Sequence, residues 1–213
     1  MKKIINEAKA DAIAVYNALD IASGGNLSLI KQSIAQTFHG FLEAKFNNLV
    51  LDVLSNDISE NELIDFIHSQ SNSNKEFIAN IILKNMHADN RITTFLLAKL
   101  LIQKMKNGSL NYYESSLFTN INSLTYEDFV IFYELWKNKK ITNNGNFYYE
   151  INEHQYFYID AQNKLFSLGI LEKPNLYGGF APEGAIERRL KIFDGTGFSD
   201  FLFDLLKEFF ETN

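Results

Sequence analysis

The sequence predicts a mainly α protein, a multi-helix bundle followed by a winged-helix-like module with a small β-hairpin. Three observations carry that prediction. Apolar residues recur at three- and four-residue spacing through most of residues 1–140, which is the helical period. Hydroxyl-to-carboxylate start signals stand ahead of several of those runs. Beyond residue 140 the chain gathers polar turn clusters and both of its prolines, Pro174 and Pro182, and a period-two run replaces the helical one. The expected division is an all-helical body over 1–140 and a C-terminal module over 141–213.

The elements follow in order. Ile5, Ala8, Ile13, Tyr16 and Leu19 mark a first helix that Ser23-Gly24-Gly25 stops. A second, longer one covers 27–54 and carries Phe38, Phe41, Leu42, Phe46, Leu49 and Val50. Those residues cover more than the ~100° stripe of an ordinary surface helix. Either this helix is central to the bundle or it buries part of itself in a second copy of the chain. Gly40 in its middle costs about 1 kcal/mol relative to Ala, which predicts close approach of a neighbouring helix. Ser59-Glu60-Asn61-Glu62 and Ser73-Asn74-Lys75-Glu76 are capping boxes that open helices over 60–70 and 74–88. Asp89 is the expected cap of the next, 90–106, which ends at Gly108 with Lys104 and Lys106 in its last turn. Ser109 starts a short helix to 121, and Thr125-Tyr126-Glu127-Asp128 starts one over 126–138.

After residue 140 comes the polar turn cluster Ile141–Asn146, then a short strand in 147–151. A helix over 156–168 ends at Gly169, and Ile170-Leu171 leads into a loop rich in Gly and Pro. Arg188-Arg189-Leu190-Lys191-Ile192-Phe193 alternates charge with hydrophobe, the mark of a half-buried strand. Asp194-Gly195-Thr196-Gly197 turns the chain, and Ser199 or Asp200 caps a last helix over 201–210.

Composition excludes several function classes. The 213 residues are 46% hydrophobic and 22% charged, ordinary for a globular chain and wrong for a disordered one. With no Cys there are no disulfides, thiolate metal sites or cysteine nucleophiles. The N-terminal lysines are followed by Glu7, Lys9 and Asp11, which break any signal-peptide core. No apolar run approaches the ~20 residues that cross a bilayer, so the expectation is a cytoplasmic protein without membrane contact. Abundant Asn, Ile, Lys and Phe with three Arg suggest an AT-rich bacterial or phage genome.

Chemistry finds little foothold. There is no phosphate-binding G-x-x-x-x-G-K-[ST] or G-x-G-x-x-G, and no G-x-S-x-G nucleophile elbow. His39 and Glu43 share a helix face at i, i+4, yet no second His stands at metal-ligand spacing from any other. Glu60, Glu62, Glu127 and Asp128 sit in first helical turns, where the dipole favours negative charge. These residues read as caps. Neither a cofactor nor a metal nor a catalytic residue is expected. An enzymatic site, if one exists, would draw on His154, Glu150 and His39.

A helix followed directly by a β-ribbon is the order of a winged helix, a helix-turn-helix variant that binds DNA or protein. The candidate cations for nucleic acid are Lys164, Lys173, Arg188, Arg189 and Lys191. Charge argues against them: residues 141–213 hold 6 Lys and Arg against 11 Asp and Glu. Asp160 also stands on the same row as Lys164 and offsets it, and phosphate binding depends on cations that release counterions. With Ser123-Leu124-Thr125-Tyr126-Glu127-Asp128 ahead of Leu165-Phe166-Ser167-Leu168-Gly169-Ile170-Leu171 and a closing strand–turn–helix, residues 60–210 resemble bacterial and prophage proteins of the Abi-alpha type. That resemblance implies a place in phage–host conflict and brings no catalytic residues with it. The leading expectation is a non-catalytic interaction or regulatory protein acting on a protein partner, with homodimerisation through the second helix. A DNA-binding regulator and an enzyme with a dispersed site are the alternatives.

Overall fold

Where each helix begins is set by local hydrogen-bond chemistry, and the computed structural model shows it residue by residue for 28–56, 58–68, 72–141, 147–150, 157–173 and 190–212. The described chain is mainly helical and divides into two compact units, 1–86 and 87–213. Residue 140 therefore lies inside the second unit. The first helix read from the sequence falls outside the described residues.

In the first unit α1 spans Ser28–Leu54, α2 Glu60–His68 and α3 Asn72–His87. Ser59 caps α2 as a full box: its hydroxyl accepts from the Glu62 amide at 3.2 Å while its own amide donates to the Glu62 carboxylate at 2.8 Å. Ser73, expected as a cap, lies one residue inside α3. Lys45 of α1 donates to the Met86 carbonyl at 3.1 Å, and Asn85 donates to the Lys45 carbonyl at 3.0 Å. Asn85 is buried, so this exchange satisfies a polar group that would otherwise be costly.

The second unit holds α4 (Arg91–Asn107), α5 (Tyr112–Asn120), a 3₁₀ turn (Ile121–Ser123), α6 (Tyr126–Lys137), α7 (Phe157–Ser167) and α8 (Gly197–Thr212). Its strands are β1 (Lys140–Ile141), β2 (Phe147–Glu150), β3 (Leu171–Glu172) and β4 (Leu190–Gly195). Asn90, not Asp89, caps α4, because its extended backbone lets the side-chain oxygen accept from the Thr93 amide at 2.9 Å. Asn111, not Ser109, caps α5, in a box with Glu114. Gly108 at φ 72° closes α4 and Gly169 at φ 67° closes α7, the left-handed conformation that only glycine adopts cheaply. Thr196 rather than Ser199 or Asp200 caps α8, accepting from the Phe198 and Ser199 amides, both at 3.1 Å. Ser199 turns inward and donates to the Ile170 carbonyl.

The helix buried on all sides is α4, where every residue from Ile92 to Ala98 is buried. It packs against α5, α6 and α8, while α6 also packs against α7. Phe129, Phe132, Leu117 and Leu165 are fully buried in this unit. The strands run antiparallel in the order β1-β2-β4-β3, with Tyr148 opposite Ile192 and Leu171 opposite Gly195. Gly195 is forced by close packing: a Cβ there would collide with the Trp136 ring. Among the described residues no helix is long and apolar enough to cross a membrane.

Candidate functional site

The N-terminus of α6 is built by a reciprocal exchange. The Thr125 amide donates to the Asp128 carboxylate at 2.8 Å, and the Asp128 amide donates back to the Thr125 hydroxyl at 3.2 Å. Capping would leave Asp128 at the surface. Here it is buried, because the spacing Asp128, Ile131, Phe132, Leu135 puts it on the inward face of α6. Ala161 and Leu165, both buried, bring α7 alongside. Lys164 then reaches across and pairs with Asp128. A buried carboxylate needs such a partner, since desolvating an unpaired charge costs on the order of several kcal/mol.

This leaves a cleft between α6 and α7 with a cavity of about 540 Å³, lined by Glu127, Asp128, Ile131, Asp160, Ala161 and Lys164. The Lys164 ammonium and the Asp128 carboxylate neutralise one another in the wall. Glu127 and Asp160 are both exposed at the same cleft, and among the described residues neither has an ion-pair partner. Its chemistry is that of an apolar wall with two exposed carboxylates. Among the described residues no histidine lines it.

A second polar arrangement lies at the end of α6. Lys139 stands 3.3 Å above the centre of the Trp136 ring, a cation–π contact, and Lys137 stands 5.2 Å above Tyr133. Burial pushes the Lys139 ammonium below its ordinary pKa, and the Asp200 carboxylate opposes that shift. Trp136 itself is buried and stacks on Phe132 at 5.9 Å.

The five residues expected to meet nucleic acid fare differently. Lys164 is committed to Asp128 of α6 rather than offset by Asp160 of its own helix, because Asp128 is the buried carboxylate of the two. Lys173 is exposed just past β3. Lys191 falls on β4, paired across the sheet with Tyr149. Arg188 and Arg189 lie outside the described residues, as does His154. His39 falls on α1 and Glu150 on β2, while His68 and His87 are exposed at helix ends. Among the described residues no group of three or more His, Asp and Glu stands close enough to hold a metal ion. The residue that sequence reading missed is Asp128, taken for a cap and nothing more. Its place on the apolar row of α6 was the signal.

No family model matches the chain, and neither a curated protein nor a solved structure shows significant similarity to it.

Proposed function

We propose that this chain is a non-catalytic interaction protein acting through a protein partner, and that the α6–α7 cleft receives a basic side chain of that partner. The observation that carries the reading is the charge balance of the cleft: the one ammonium among its described lining residues is already paired, which leaves the exposed carboxylates of Glu127 and Asp160 beside the apolar Ile131 and Ala161. An Arg or Lys side chain suits such a surface, with its stem on the apolar wall and its head at the carboxylates. A phosphate does not.

The winged-helix reading of 141–213 draws support from the strand order, in which β4 lies between β2 and β3, and from the glycine exit of α7 into β3. Its use on DNA has less support, because Lys164 is committed and the module is acidic. A role in phage–host conflict rests on the resemblance of residues 60–210 to Abi-alpha-type proteins. Self-association through α1 belongs to the same reading of the chain as a docking protein.

Fluorescence anisotropy tests it. A labelled Lys/Arg-rich peptide and a labelled random duplex are each titrated with the full chain at about 50 and 200 mM salt. The peptide is expected to bind, and the Glu127→Lys, Asp160→Lys double variant to lose it. Salt-sensitive micromolar binding of the duplex would overturn the reading, as would peptide binding indifferent to both substitutions.

A further inference from the structure

The hydrogen bonds that the Asp128 carboxylate makes with described residues all fall on one of its two oxygens. Oδ2 accepts from the Thr125 amide at 2.8 Å, from the Thr125 hydroxyl at 3.1 Å and from the Lys164 ammonium. Oδ1 accepts from no group among the described residues. Yet the Asp128 side chain is only 9% exposed, and a buried acceptor left without a donor costs free energy. Asp128 also lines the α6–α7 cleft, so the cleft is a direction from which a donor can come.

The cleft's described lining side chains hold no second donor. Glu127 and Asp160 are ionised carboxylates and only accept, while Ile131 and Ala161 carry no polar side-chain atom. Lys164 is the one side chain there that donates, and it is spent on Oδ2. The capping exchange with Thr125 keeps Oδ2 turned back toward the start of α6, which fixes the orientation of the whole carboxylate. Three carboxylates stand against one ammonium in this lining, so the cleft draws a further cation even with Lys164 in place.

We infer that the cleft selects an arginine side chain of its partner over a lysine, with the guanidinium donating to Oδ1 of Asp128. The inference rests on the proposed use of the cleft for a basic side chain and says which one. Two features choose between the cations. The acceptor is buried and Ile131 and Ala161 line the same cleft, so the guest must shed water there, and a guanidinium is more weakly hydrated than an ammonium. A guanidinium also holds five N–H donors in a rigid plane, so one can serve Oδ1 while others serve the exposed carboxylates of Glu127 and Asp160. An ammonium is a strongly hydrated point charge, and it keeps its water by stopping at those two exposed groups.

Labelled Gly/Ser peptides that differ only in carrying Arg, Lys or citrulline at the same positions test this by anisotropy on the full chain. Salt is held at about 50 mM, where exposed charges are little screened. The Arg peptide is expected to bind about tenfold tighter than the Lys peptide, and the neutral citrulline peptide weakest of all. Equal affinities for Arg and Lys overturn the inference and leave the cleft's preference for cations standing. Binding of neither cation, or of citrulline as tightly as Arg, overturns that reading as well. Two variants assign the oxygen. Asp128→Asn keeps an oxygen for the Thr125 amide and replaces the other with a donor, so the Arg-to-Lys ratio should fall to about one. Glu127→Gln combined with Asp160→Asn changes only exposed positions, and it should weaken both cationic peptides alike and leave the ratio intact. A ratio that survives Asp128→Asn overturns the assignment. So does a ratio that vanishes in the Glu127, Asp160 variant, a result readable even where Asp128→Asn does not fold.

Discussion

Helices α1 and α6 are both crowded with large apolar residues, yet they meet opposite fates. In α6 the run Phe129, Ile131, Phe132, Tyr133, Leu135 and Trp136 is buried, because α4, α7 and α8 each cover part of its circumference. In α1, from Gly40 to Leu54, burial reaches only Leu49, Asp52 and Val53. Apolar content alone does not bury a helix; the number of elements the topology brings to it does. The same contrast runs through their glycines and charges. Gly195 touches Trp136 of α6 and cannot accept a side chain, whereas among the described residues nothing stands within 4 Å of a Cβ placed at Gly40 of α1. Asp128 of α6 is buried and paired, whereas Glu43 of α1 stands in water.

The sharpest way to break this comparison is to truncate one Phe on each helix. Phe132 is fully buried and stacked on Trp136, so Phe132→Ala should cost about 3–5 kcal/mol, a transfer loss plus a cavity that the surrounding helices close only in part. Phe41→Ala, measured by urea unfolding at concentrations where the chain is a monomer, should stay within about 0.5 kcal/mol. Equal losses would mean that α1 is covered within the chain after all.

A glycine pair comes next in size. Gly195→Ala drives a methyl into the Trp136 ring, whose own movement is blocked by Phe132 and by the burial of the site, so about 1–3 kcal/mol of stability should be lost. Gly40→Ala should gain about 1 kcal/mol from helix propensity in the monomer. Opposite signs in thermal melts sustain the contrast between the two helices. A loss at both positions would place hidden atoms beside Gly40.

How much of this was legible beforehand follows from the range of each force. Caps are local, so Ser59 with Glu62 and Thr125 with Asp128 could be read from four residues of sequence, as could the glycine exits at 108 and 169. Even there the chain chose Asn90 over Asp89 and Thr196 over Ser199, because the cap depends on which residue takes extended backbone and which is drawn inward by the Ile170 carbonyl. The pairing of Lys164 with Asp128 joins residues 36 apart in sequence, and no local pattern specifies it. What the sequence did offer was the register of Asp128 with Ile131 and Leu135, which placed a charge on a buried row and so required a partner. The central role of α4 was hidden for a similar reason: Thr93 and Thr94 interrupt its apolar run, and their burial depends on neighbours contributed by α5, α6 and α8.

The smallest expected effect concerns the one charge that α6 shelters at its far end. Lys139 lies on the Trp136 face, where burial lowers its pKa against the pull of Asp200. The unfolded chain keeps this proton up to the ordinary lysine value of 10.5, while the folded chain releases it earlier. In the interval below that value the unfolded state therefore binds more protons, and stability rises with pH. Lys139→Met keeps the apolar stem over the ring and removes the titration. Comparing melting temperatures at about pH 8 and about pH 10, the wild type should gain on the variant as pH rises. Titration of tyrosines and the other lysines is common to both proteins and cancels in the difference. Equal slopes would mean that the ammonium is fully hydrated, and that the Trp136 face is as open to water as the Phe41 face of α1.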